Sequence, residues 1–161
     1  MSAIHGLPAH ILLVHAIVVL VPLTAVLGVL SAVWPAARQR FAWLVLALAA
    51  LVLVLTPVTT EAGEWLEKRV PRTADLHNHT HLGDTFIFFA FPLLLGAALL
   101  AFVHRRETRG QTPSRLLVGG MAVLVIAASV AATVQIYRIG DSGAQTTWTG
   151  VADRAPLPRT K

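Results

Sequence analysis

The chain has 161 residues, of which 55% are hydrophobic and 13% charged, roughly half the charged share of an ordinary soluble domain. Its 13 Lys and Arg outnumber its 8 Asp and Glu, yet they cluster in short loops beside apolar runs, which makes them topology signals and excludes a nucleic-acid face. The lack of cysteine excludes disulfides, thiolate metal sites, iron–sulfur clusters and covalently attached haem, so any metal must be held by His, carboxylate or Met.

Four apolar blocks, residues 11–34, 41–58, 85–103 and 116–136, each reach or approach the roughly 20 residues that cross a bilayer as helix. The expected fold class is all-α: an integral membrane four-helix bundle with helices over 8–34, 41–68, 74–104 and 115–139. It forms one domain over 1–152, followed by a disordered tail over 153–161. No basic segment precedes the first apolar run, so the first helix is expected to stay in the mature protein.

Helix 1 opens with Pro8, which suits a first turn because its missing N–H would be unsatisfied there. His10 and His15 lie five residues apart, about 140° around the helix, and so do not share a face. Pro22 predicts a kink, and Gly28 with Ala32 a close helix approach. Residues 35–40, with Arg38 and Arg40 between Trp34 and Trp43, read as a cytoplasmic turn. Helix 2 becomes polar at Thr56, and Glu61, Glu64 and Lys68 share a face at offsets of three and four. Thr73 is the expected cap of helix 3, which sets His77, His81 and Asp84 on one face and His79 on another. That helix contains Pro92 and ends at His104, Arg105 and Arg106 before a second cation-rich turn. Helix 4 carries Ala127, Ala128, Ala131 and Ala132 and leaves the membrane at Gln135, Tyr137, Arg138 and Asp141, with Trp148 as an interface anchor.

Six of the thirteen cations fall in the two short loops against one acid, Glu107, which is the basis for expecting both termini and the histidine cluster, though not His104, on the outer face of the plasma membrane. Pro22 and Pro92, each midway along a helix followed by an Arg loop and a second helix, give the halves a weak two-fold resemblance.

Ionisable groups beside a bilayer core are functional candidates by default, and three readings fit those gathered at the outer end. In the first, His15, the deepest histidine, pairs across the bundle with His79 or His81 to hold a six-coordinate haem b for electron transfer. Gly63 and Gly83 would be its slim neighbours, Lys68, Arg69, Arg72 and Arg138 its propionate partners, and Glu64, Asp84 and Asp141 further polar neighbours. In the second, a non-haem zinc, copper or iron ion is held by histidines and carboxylates drawn from His15, His77, His79, His81, Glu61, Glu64 and Asp84. In the third, the same residues form a hydrogen-bonded cap of a structural or assembly subunit. No catalytic residue is assigned. Gly140-Asp141-Ser142-Gly143 copies a serine-protease sequence without the β-barrel that gives it meaning, and Asn78-His79-Thr80 is a glycosylation tripeptide frequent by chance.

Four separated motifs also occur in order. They are Gly6-Leu7-Pro8-Ala9-His10 through Val14-His15; Ala62-Gly63-Glu64-Trp65-Leu66-Glu67; His79 to Gly83-Asp84; and Tyr137-Arg138-Ile139-Gly140-Asp141-Ser142-Gly143-Ala144 with Trp148. Over residues 6–150 they resemble a bacterial family of four-helix predicted membrane proteins, particularly its actinobacterial branch. The resemblance implies site positions at His10, His15, Glu64, His79, Gly83, Asp84, Arg138, Asp141 and Ser142, and a link to redox chemistry through neighbouring Rieske or cytochrome c modules. Members often read His-Pro where this chain has His10-Ile11. The resemblance points to His79 on helix 3, whereas the helical-face argument favours His77 and His81. Expected partners are the bilayer and, on the haem reading, a membrane or periplasmic redox protein, with a homo-oligomer left open by the small-residue faces of helices 1 and 4.

Overall fold

The computed structural model describes residues 3, 4 and 6–154. Two short antiparallel strands, β1 (Ala3–Ile4) and β2 (Leu7–Pro8), lead into five helices: α1 (Ala9–Val33), α2 (Pro35–Glu67), α3 (Ala74–Asp84), α4 (Ile87–Thr108) and α5 (Arg115–Trp148). Helices α3 and α4 are two parts of one span, so four spans are long and apolar enough to cross a bilayer. The chain is an all-α integral membrane four-helix bundle. Helices α1 and α4 each pack against both α2 and α5 and barely touch one another, so they lie diagonally across it.

The bundle inverts soluble patterning. Val19, Val26, Val54, Phe88 and Val123 face outward, where hydrocarbon is their solvent, so burial of apolar surface gives the helices little reason to associate. Small residues supply that reason by letting backbones approach. Val125 of α5 is clasped between Gly28 of α1 and Gly96 of α4, where an added Cβ would stand 3.4 and 3.2 Å from its methyl groups. Ala49, Ala90, Ala97 and Ala132 are fully or almost fully buried at the other contacts.

Three boundaries differ from the sequence expectation. Residues 35–40 are the first turns of α2, joined to α1 through Trp34, because Pro35 sits at a helix start where its fixed φ suits it. Buried Arg38 then caps α1, donating from Nη1 to the carbonyls of Ser31 and Ala32 at 3.2 and 3.4 Å while its guanidinium forks onto Glu107 at 2.8 and 3.0 Å. The third span breaks between α3 and α4. There Gln135 donates from Nε2 to Leu82 O at 3.2 Å and Thr85 Oγ1 at 3.0 Å, satisfying groups that the helix leaves free. Finally, α5 continues to Trp148 through a stretch rich in glycine. The expected tail lies, from residue 155, outside the described residues.

Candidate functional site at the histidine end of the bundle

The inward side of α3 carries His79. Thr73 caps the helix, accepting from Leu76 N at 3.1 Å, and this phase leaves His77 and His81 on the exposed side, with Asp84 exposed at the edge of the cavity. The helical-face expectation for His77 and His81 is thereby corrected. No residue of α3 is fully buried, so this helix lies on the bundle rather than in it, and its longer polar series faces out.

His79 packs on α5. A Cβ at Gly143 would stand 3.0 Å from its Cε1 and 3.3 Å from its Nδ1, so the ring rests directly on the helix backbone. Its Nδ1 lies 3.1 Å from both Ile139 O and the buried Ser142 Oγ. A carbonyl oxygen can only accept, so Nδ1 carries the proton and Nε2 is left as the acceptor. His10, on the first turn of α1, repeats the arrangement on α2. A Cβ at Gly63 would stand 3.0 Å from its Cε1 and Nδ1, and its Nδ1 donates to Thr59 O at 3.0 Å. In both cases the acceptor carbonyl lies four residues before the glycine. The weak two-fold resemblance of the sequence is therefore a physical one.

The two rings converge, with centroids 6.3 Å apart and planes at 81°. They border a cavity of about 710 Å³ whose lower wall is apolar, with Val14, Ile17, Phe86 and Ile136. Threonines 73, 80, 146 and 147 also line it, with the carboxylates Glu64, Glu67 and Asp84 and, among the described residues, no Lys or Arg. A smaller recess of about 220 Å³ shares Glu67, Thr73 and Leu76 with it and adds Arg72.

His15 lines the cavity but does not pair with a histidine of α3. Its side chain is exposed and its Nδ1 donates within its own helix to Ile11 O at 2.6 Å. Of the expected propionate partners, Arg69 lies 3.7 Å over the Trp65 ring and donates to Trp65 O. Arg138 is exposed, with Nη1 3.4 Å from Gln135 Oε1, and neither arginine reaches the cavity wall. Gly83 lines the cavity, but an added Cβ there would meet nothing, so the slim position beside a histidine is Gly63. Glu61 and Asp141 are exposed, and Asp141 accepts from Gln145 Nε2. Among the described residues no three His, Asp or Glu gather to hold a metal, so the expected non-haem cluster does not assemble. The phase of α3 keeps His77 and His81 off the cavity wall, and Asp84, which does border the cavity, joins no such group there.

Sequence reasoning missed the two backbone acceptors, Thr59 O and Ile139 O, which no residue type announces. The shared spacing of each acceptor from its glycine was the signal available, but its meaning depends on knowing which histidine lands there.

Four apolar spans with one polar, histidine-bearing end define a multi-pass membrane protein. More narrowly, the chain belongs to the predicted membrane protein family DUF2231, whose family model matches residues 6–155. No curated protein and no solved structure matches it.

Proposed function

We propose that the histidine end binds haem b between His10 and His79 and that the protein transfers electrons at the outer face of the plasma membrane. The observation that carries this reading is the 6.3 Å separation of the two ring centroids. Metal–imidazole bonds run about 2.0–2.1 Å and a ring centre lies about 1.1 Å behind its nitrogen, so two imidazoles facing one metal hold their centroids about 6.3 Å apart. Each ring donates its Nδ1–H to protein oxygen, which is how metal-bound histidines are usually fixed.

The residues present fit the group in other respects. Two neutral nitrogen donors suit a low-spin iron, the apolar lower wall suits a macrocycle, and Gly63 and Gly143 let both rings sit back against their helices. Arg72 of the adjoining recess would be the cation nearest to meet the propionates, with Thr73 and Thr80 as hydroxyl partners. When bound, haem supplies one-electron chemistry. The chain's own part is to hold the iron, to fix both imidazole tautomers and to keep water from the deep wall. A periplasmic redox protein would be the partner at the exposed edge.

The test is a reduced-minus-oxidised spectrum of protein purified in detergent after expression with haem precursor. A low-spin bis-imidazole spectrum is expected, lost in His10→Ala and in His79→Ala but kept in His15→Ala. A colourless preparation without iron removes the proposal and leaves the pair as a hydrogen-bonded structural cap.

A further inference from the structure

His15 is left unused by the histidine pair. Its Nδ1–H is satisfied by Ile11 O at 2.6 Å, so its Nε2 is an acceptor with no protein partner among the described residues. The surface around it is apolar: Leu12, Val18 and Val19 of the same helix are all exposed. An imidazole acceptor at the edge of hydrocarbon without a donor is costly. Yet His15 lines the same 710 Å³ cavity that His10 and His79 border, so the cavity reaches the lipid-facing rim of α1 at His15 and exposed Ile11.

Charge narrows what could enter there. Glu64, Glu67 and Asp84 line the cavity and, among the described residues, no Lys or Arg does, which opposes a phosphate headgroup or a fatty-acid carboxylate. The rim beside His15, where Ile11, Leu12 and Val18 are exposed, is apolar and suits a flat ring. The occupant that meets all three conditions is neutral, lipid-soluble and aromatic, and carries an O–H donor. We propose that the lateral rim of the cavity binds a membrane-dissolved hydroquinone, one hydroxyl of which donates to His15 Nε2. The electron-transfer meaning of such a ligand rests on the haem reading, whereas its binding does not.

The full chain in lipid nanodiscs, titrated anaerobically with tetramethylhydroquinone in a calorimeter against empty discs, tests this. Saturable one-site binding above partitioning is expected, weakened about tenfold or more in His15→Phe, the loss of one hydrogen bond. The dimethyl ether of the same compound, which lacks the donor, should only partition. His15→Gln, which keeps an acceptor on a polar side chain, should retain part of the affinity and guards against a packing fault in the phenylalanine variant. No saturable binding, equal binding by His15→Phe, or equal binding by the dimethyl ether or a long-chain alcohol would each overturn the proposal. Spectra of the same samples separate the two readings. Colourless protein that still binds the hydroquinone through His15 removes haem and keeps the rim; haem-loaded protein without saturable binding removes the rim alone.

Discussion

Replacing Gly143 with Ala should destabilise the protein although alanine is the better helix former. Gly140, three residues earlier on α5, is the matched control, because an added Cβ there would meet nothing within 4 Å. Gly140→Ala should therefore stabilise by about 0.5–1 kcal/mol through helix propensity and a less disordered unfolded chain. At Gly143 the new methyl would stand 3.0 Å from His79 Cε1 and 3.3 Å from Nδ1. The ring cannot slide freely, since Ile139 O and Ser142 Oγ both lie 3.1 Å from Nδ1. Either the packing strains, at about 1–3 kcal/mol, or hydrogen bonds worth about 1 kcal/mol each are lost. After the propensity gain, Gly143→Ala should cost up to about 2 kcal/mol, and because that gain is common to both, the two variants should lie about 1–3 kcal/mol apart. Denaturant titration in detergent, followed by circular dichroism, measures the gap. In a His79→Ala background the clash is gone, and Gly143→Ala should turn neutral or stabilising. Equal stability of Gly143→Ala and Gly140→Ala in the wild-type background would refute the ring-on-glycine contact.

Three further outcomes follow from contacts elsewhere. Arg38→Ala should cost about 2–4 kcal/mol in the same titration, because it strands Glu107, whose side chain is 25% exposed, and uncaps the last carbonyls of α1. Replacing both Arg38 and Glu107 with Met should recover most of that loss, and a double variant no more stable than Arg38→Ala would contradict the pairing. Gln135→Leu removes both bonds that bridge the α3–α4 break and should cost about 1–2 kcal/mol. Its signature is faster hydrogen exchange at the amides of Phe86, Phe88 and Phe89, and unchanged protection there would count against the bridge. Gly96→Ala sets a methyl 3.2 Å from Val125 Cγ2 and 3.4 Å from its Cα, so α4 and α5 must part at a cost of about 1–3 kcal/mol, read from the unfolding midpoint.

The four spans are legible in the sequence because hydrocarbon thickness imposes a length that composition alone reveals. Connections are harder, because residue type has two meanings at a membrane edge. Arg38 reads as a soluble turn residue, yet it is buried beneath Glu107, and the helix starts at Pro35. Gly140 and Gly143 lie beyond the expected end of helix 4 at 139, but within α5 one sits on an open face and the other is a platform for an imidazole from a different helix. The histidine pair was legible only in part. Periodicity grouped His77 with His81 correctly on one face of α3, but which face turns inward is set by how α3 lies across α5, and that is tertiary. The resemblance pointed to His79, and His79 is the histidine of α3 that packs on Gly143 of α5.

The duplicated arrangement bears on why these two histidines face one another. Each sits on the first helix of its half, rests on a glycine of the second helix and donates to the carbonyl four residues before that glycine. One nitrogen of each ring is thereby satisfied by backbone, and in both it is the same nitrogen. The other two, both Nε2, have no protein donor among the described residues. Both rings border the cavity, and neither Nε2 is a buried atom without a partner, so each remains within reach of whatever fills it. The matched glycine platforms and carbonyl acceptors, rather than the number of histidines, set this end of the bundle apart.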